Sequence, residues 1–321
     1  MDQTASLFVL GSFMVACCAK VASLPQPGES LQAKAFTVEA GGKGLNVALG
    51  ALRLGARVDG IFAIGTDLFS QLAPAAFVQA GLSPAMLRRF ETTTGSGIGF
   101  TDDQGENCLA VHPGANLHLS RQEIRSVAQV VREADLVVAQ FEIGDEPILE
   151  AFALARAAGC STLLNPSPYR AVDPCILQQT SILILNRVEA ADMADAFGLK
   201  IEQGRKSFDQ LAAGLLERGP ALVIVTLGGD GAIAYRGQDA PLRQSAFPVC
   251  AVDTLGAGDA FTAGLAASLL ERRSLEESLR RAAACGAIVC QRMGVFDALP
   301  TASELDTFLR GESTSAFTST R

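Results

Sequence analysis

The chain has 321 residues, of which 49% are hydrophobic and 19% charged, and its formal net charge is −8. So apolar a chain carries a large core rather than disorder, and an acidic balance without a long Lys/Arg tract argues against nucleic acid or an anionic membrane as partner. Eight cysteines with no C-x-x-C pair, beside only two histidines, argue against a zinc site or a disulfide scaffold and for reduced thiols in a cytoplasmic protein.

In chain order, the first apolar stretch runs from Leu7 to Val21. It lacks the basic residues that precede a secretory signal and is too short to span a membrane, so it reads as buried strand. A helix is expected over about Gly44–Leu54, then the strand "RVDGIFAIG" and the helix "LFSQLAPAAFVQAG". Residues 34–40 and 95–114 alternate or turn like hairpins, with "TDDQGE" as a tight turn between antiparallel strands. From Ala134 onward the short apolar runs "ADLVVAQFE", "CSTLLNPSP", "SILILN" and "ALVIVTLGG" alternate with helix-period segments at 146–159, 188–198 and 206–219. Runs with so little alternation are expected of strands covered on both faces. The pattern predicts an α/β protein with a doubly wound, mostly parallel sheet in three α/β/α layers. A helix from about Ala257 carries Phe261, Leu265 and Leu269 along one face. The next starts at Ser274 with Glu277 completing a capping box, and is expected to end near Gly294 with Arg292 in its last turn. One domain is expected over residues 1–310, with β segments near 12–22, 33–40 and 95–112 inserted as a lid over the site and a polar, mobile tail at 311–321.

The densest chemistry lies in "DTLGAGDAFTAG", Asp253 to Gly264. A helix start leaves free N–H groups and a partial positive charge. Gly256, Ala257 and Gly258 at such a start can converge on an anion with no side chain in the way, and a phosphate fits. Asp259 then sits beside that anion. A carboxylate there is wrong for simple phosphate binding but right for taking a proton from an attacking hydroxyl. An ordinary N-terminal cap is the plainer reading of the same residues. The P-loop and the G-x-G-x-x-G fingerprint are both absent: "GGKG" at 41–44 has no Ser or Thr after its Lys, and neither Gly-x-Gly is followed by glycine at the required spacing.

"GGKGLNVALGALRLGA" (41–56) together with "DTLGAGDAFTAG" resembles the two signatures of the ribokinase-like carbohydrate kinases, the PfkB family. "LPQPGES", "IGTDLF", "VHPGAN", "LNPSP", "NRVEA" and "VTLGGDGA" follow in family order, so the resemblance covers about residues 6 to 310 and is closest to ribokinase. It implies a ribokinase-like fold with a small β lid and transfer of the γ-phosphate of ATP to a primary hydroxyl of a sugar. It also implies Asp259 as general base and Gly256, Ala257 and Gly258 as the anion hole. Asn186 and Glu189 match an N-x-x-E element that helps hold Mg²⁺ through water, though locally they fit a helix cap equally well. Thr226, Gly228 and Gly231 match the nucleotide-side loop, where a hairpin turn is the plainer reading. Asp253 and Thr254 match a monovalent-cation site, for K⁺. Gly41, Gly42, Lys43, Asn46 and Glu142 match the sugar side, whose polar groups suit hydroxyls. The resemblance further implies a homodimer formed through the lid.

One departure stands out. The family's opening G-S-x-N-x-D is here "GSFMVA", with Met14 and Ala16 at the two polar positions. Ribose is therefore in question, and a deoxy or less polar substrate enters, unless the cover strands compensate. Two other functions stay open: a nucleoside kinase of the same fold, and a non-catalytic regulator that binds sugar or nucleotide.

Overall fold

The computed structural model describes residues 5–104, 106–199 and 208–311. Strands β1 (Ser6–Ser12), β2 (Met14–Lys20), β3 (Ala35–Gly41), β4 (Arg57–Ile64), β5 (Leu87–Arg89), β6 (Gly95–Thr101) and β7 (Asn107–His112) come first. They are followed by β8 (Leu136–Gln140), β9 (Ser161–Asn165), β10 (Ile182–Asn186), β11 (Leu222–Thr226), β12 (Ala232–Tyr235) and β13 (Leu242–Gln244). Helices are α1 (Lys43–Arg53), α2 (Leu72–Ala80), α3 (Arg121–Ser126), α4 (Ala128–Glu133), α5 (Asp145–Ala157) and α6 (Pro174–Gln179). The later ones are α7 (Arg187–Phe197), α8 (Asp209–Leu216), α9 (Ala257–Leu270), α10 (Leu275–Cys290) and α11 (Ala302–Leu309).

Nine strands form one sheet in the order β13-β12-β11-β10-β9-β8-β1-β4-β5, parallel except at the β11–β12 and β12–β13 pairs. This is the doubly wound, mostly parallel sheet that the sequence predicts. Strand β1 shows why its sequence does not alternate in polarity. Leu7 and Val9 enter one core with Leu45, Ala263 and Leu265, while Phe8 and Leu10 enter a second core with Ile148 and Phe152. Both faces are covered, so both parities are apolar.

The remaining four strands form a small sheet in the order β3-β2-β6-β7, with β2–β6 parallel and the other pairs antiparallel. The turn between β6 and β7 is held by Asp102, whose Oδ1 accepts from Gln104 N and Glu106 N. The apolar run 7–21 is thus two strands in different sheets, which separate at Phe13.

One helix boundary differs from expectation. Helix α10 starts after Ser274, whose Oγ accepts from Glu277 N, but it stops at Cys290 rather than near Gly294. Gly294, at φ 74°, belongs to the turn beyond, and Arg292 leaves the helix to pair with Glu304 at 2.6 Å. The first residues of the segment expected to be helical at 206–219, and the tail beyond Gly311, lie outside the described residues. Among the described residues no helix is long and apolar enough to cross a membrane.

Candidate active site

The sheet order fixes where a site forms. From β1 the chain moves to β4 and β5 on one side, then returns to β8 on the other. Ligands in such sheets bind beyond the carboxyl ends of the strands where the order reverses. Ser12 ends β1 and Glu142 lies two residues past β8, and they meet there: Ser12 Oγ donates to Glu142 Oε2 at 2.5 Å.

Helix α1 starts at the same point. Its N-cap is Gly42 at φ 104°, which offers no side chain to the orphan amides of the first turn. Those amides find the strand ends instead: Lys43 N donates to Glu142 Oε2 at 2.8 Å and Gly44 N to Ser12 Oγ at 3.1 Å. A Cβ on Gly44 would lie 2.3 Å from Gly11 Cα, so only glycine lets the helix begin against β1. Glu142, predicted to accept from a sugar, therefore has one oxygen already engaged by the protein.

Helices α1 and α9 pack together and bring Asn46 to Asp259 across 213 residues of sequence. Asn46 Nδ2 donates to Asp259 Oδ2 at 2.8 Å, and Lys43 Nζ lies 3.9 Å from Oδ1. Asp259 is only 5% exposed, and Asn46 Oδ1 is buried without a protein partner. Asp259 holds the Lys43 ammonium above the ordinary lysine range against the opposing effect of burial, with Glu142 and Glu189 adding to it. Burial pushes both Glu142 and Glu189 above the usual carboxylate range. The Ser12 hydroxyl, Lys43 and the Lys43 amide oppose that at Glu142; the Asn186 amide, the Ser167 hydroxyl and Lys43 oppose it at Glu189. One lysine thus stands among three carboxylates.

The start of α9 is open. Its N-cap is Gly256 at φ 75°, with no side-chain cap. A Cβ on Gly256 would lie 2.4 Å from Val295 Cγ1, so the turn requires glycine. A Cβ on Gly258 would meet nothing within 4 Å. Among the described residues the N–H groups of Gly256 and Gly258 have no protein acceptor. The Ala257 N–H is not equally free, because it reaches Thr254 O at 3.4 Å.

The other predicted residues flank this centre. Asn186 and Glu189 close the start of α7 as a reciprocal capping box: Asn186 Oδ1 accepts from Val188 N and Glu189 N, and Asn186 N donates to Glu189 Oε2. Thr226 pairs in register with Asn186, which sets the β11–β12 turn beside that box. Gly228 and Gly231, at φ 59° and 96°, make this turn, and an Arg187–Asp230 ion pair ties it to α7. Asp253 accepts from Leu255 N and Gly294 N, one on each oxygen, and Thr254 is exposed. Gly41 ends β3 opposite Met14. Among the described residues no group of three or more His, Cys, Asp or Glu side chains is placed to hold a metal ion by itself.

Two contributors were not visible in the sequence. Ser12 is in the opening motif, but only contact with Glu142 and Gly44 gives it a role. Asn165, at the end of β9, donates to Ile184 O at 3.1 Å and approaches Glu189 Oε2 at 3.5 Å. The Asn-Pro after a β run was the available signal for it.

With this geometry in place, comparison with known proteins gives a consistent result. The model of the pfkB family carbohydrate kinases matches residues 4–302. A mouse ribokinase is 32% identical over 95% of this chain and 94% of its own length. A Salmonella typhi deoxyribokinase is 28% identical over 94% of this chain and 97% of its own. The structure of an Arabidopsis thaliana ribokinase complexed with ribose and ATP superposes with a TM-score of 0.85 at 27% identity, covering 96% of this chain and 99% of that one.

Proposed function

The chain belongs to the pfkB family of carbohydrate kinases, and we propose that it transfers the γ-phosphoryl group of ATP to a primary hydroxyl of a sugar. The observation that carries this reading is a buried carboxylate, Asp259, bonded to Asn46 and set in the first turn of a helix whose start has no side-chain cap. In the reaction Asp259 takes the hydroxyl proton as the sugar oxygen bonds to the γ-phosphorus. The bond from that phosphorus to the bridging oxygen breaks, and ADP leaves with the electron pair. Negative charge on the transferring group meets the N–H groups of Gly256, Ala257 and Gly258, whose partial positive charge is fixed before the reaction begins. Lys43 offsets the accumulation of anions and, with Asn46, keeps the base oriented. Gly41, Gly42, Lys43, Asn46 and Glu142 form the sugar side, Glu142 through its second oxygen.

ATP is the donor in this reading; the Arabidopsis relative is complexed with ribose and ATP. Thr226, Gly228 and Gly231 form its loop. Glu189 fits a role beside Mg²⁺: it is a buried carboxyl with one oxygen bonded to Asn186 N, and nearby positive charge would favour its ionised form. Asn186 and Glu189 would hold the ion through water, since no direct ligand cluster exists among the described residues. When bound, Mg²⁺ neutralises charge on the phosphates. Asp253 and Thr254 are the corresponding proposal for K⁺.

The small sheet acts as the lid that excludes water. Its far face exposes Phe36, Val38 and Ile98, which we assign to contact with a second copy of the chain. A monomer in light scattering at micromolar concentration would contradict that assignment. The reaction itself is tested by ADP release from ATP over a panel of sugars, with the ester product identified by phosphorus NMR. Sugar-dependent ADP release with a new phosphate monoester is expected; no turnover with any sugar contradicts the reading. A ribokinase and a deoxyribokinase stand among the relatives, so likeness does not choose between a fully hydroxylated and a deoxy pentose.

A further inference from the structure

In the small sheet, residues paired across strands share a face. One set of rows joins Met14 with Gly41 and Gly95, Ala16 with Glu39 and Gly97, and Cys18 with Thr37 and Gly99. Strand β7 extends these rows with Val111 beside Gly97 and Leu109 beside Gly99. The side chains confirm the shared face: Cys18 Sγ and Leu109 Cδ1 each lie 3.5 Å from where a Cβ on Gly99 would stand.

The small sheet meets the site at two points, one through backbone and one through a side chain of this face. At one end Met14 N lies 3.2 Å from a Cβ built on Gly42, the residue before Lys43. At the other, Glu39 Oε2 lies 3.2 Å from a Cβ built on Gly294, whose N–H is held by Asp253 ahead of α9. Met14 and Ala16 give this face a thioether and a methyl beside these points, next to bare backbone at Gly41, Gly95 and Gly97, and the rows continue outward through Cys18 to the exposed Leu109 and Val111. Beside Met14 the cover strands bring no polar side chain, because its partners are Gly41 and Gly95. In the three rows only Glu39 and Thr37 bring polar side chains, and Glu39 reaches toward Gly294.

A sugar hydroxyl pressed against such a surface gives up its bonds to water and receives none in return, whereas a C–H loses nothing. We propose that the sugar this site selects is a deoxypentose, bearing hydrogen instead of hydroxyl on the edge under Met14 and Ala16; this rests on the sugar-kinase reading above. The selectivity is bounded, because an aliphatic pocket rejects an added hydroxyl only by up to ~10²-fold.

The test is kcat/KM for D-ribose, 2-deoxy-D-ribose and 3-deoxy-D-ribose with ATP, with hexoses assayed alongside. One deoxypentose should exceed ribose by ~10- to 100-fold. Ribose equal to or better than both overturns the proposal, as does turnover of hexoses alone; in both cases the kinase reading stands. No turnover of any sugar removes the kinase reading and this proposal together. The double variant Met14→Asn/Ala16→Asp, with its fold checked by circular dichroism and thermal melting, should move the preference toward ribose by at least ~10-fold. A folded double variant with unchanged preference overturns the assignment to these two side chains, and the wild-type measurements decide the proposal should it fail to fold.

Discussion

Two helices begin near Lys43 and are built in opposite ways. The start of α7 is closed by its own residues, with Asn186 and Glu189 satisfying each other's backbone amides. The start of α9 has a glycine cap, no side-chain acceptor, and open space beside Gly258. A closed start has used its positive end internally, while an open start keeps it for a ligand. The sequences foreshadow this difference: N-x-x-E supplies two partners for the amides, and G-A-G supplies none.

The comparison breaks most sharply if the open start is closed. Gly258→Asp places a carboxylate among the free amides, where the side chain has room. The fold should hold or gain by ~0.5 kcal/mol, since aspartate suits a first turn better than glycine does. Activity should nonetheless fall by ~10³-fold because the phosphoryl group now meets an anion. Thermal melting and steady-state kinetics on one sample check both halves, and unchanged kcat would show that the start of α9 does not face the phosphates.

Next in size is Asn46→Asp, which swaps the donor on Asp259 for a second carboxyl. Two carboxyls this close share a proton, so the base becomes free only at higher pH. We expect ~10²-fold lower kcat/KM at neutral pH and an acidic limb displaced upward, a displacement that a merely structural role for Asn46 would not produce.

Asn186→Ala opens the closed start. Val188 N and Glu189 N lose their acceptor, which costs ~1 kcal/mol of stability in denaturant titration. The loss of kcat should be far smaller than for Gly258→Asp. Equal losses would erase the distinction between the two ends.

The smallest effect is expected at Glu142. Burial holds its carboxyl above the ordinary range, so the folded state keeps a proton that the unfolded chain has released. The folded protein therefore loses relative stability as pH rises from the usual glutamate range through the raised value. Glu142→Gln keeps an acceptor for Ser12 and Lys43 N but carries no such cost. Its melting temperature relative to wild type should climb between pH 4 and the neutral range, and a falling difference would contradict the sign.

The layers of the fold were legible because strands covered on both faces leave continuous apolar runs, as β8 to β11 do. The end of α10 was not: Gly294 and Arg292 resemble a helix terminus, but the glycine serves the next turn and the arginine pairs with Glu304. Around the site, local geometry within one motif was readable, as the glycine-capped helix start at Gly256 to Asp259 was. Contacts between distant motifs were not. Nothing local states that Asn46 aims Asp259, or that Ser12 and Glu142 take over the amides of α1, because both depend on which strand ends the topology makes neighbours.

The most direct measurement compares binding with turnover in Asp259→Asn. With the accepted sugar and ATP, calorimetry should give dissociation constants within a few-fold of wild type, while kcat falls by ~10²- to 10⁴-fold, the range of a general base. A kcat within a few-fold of wild type would contradict the assignment of Asp259 as the base.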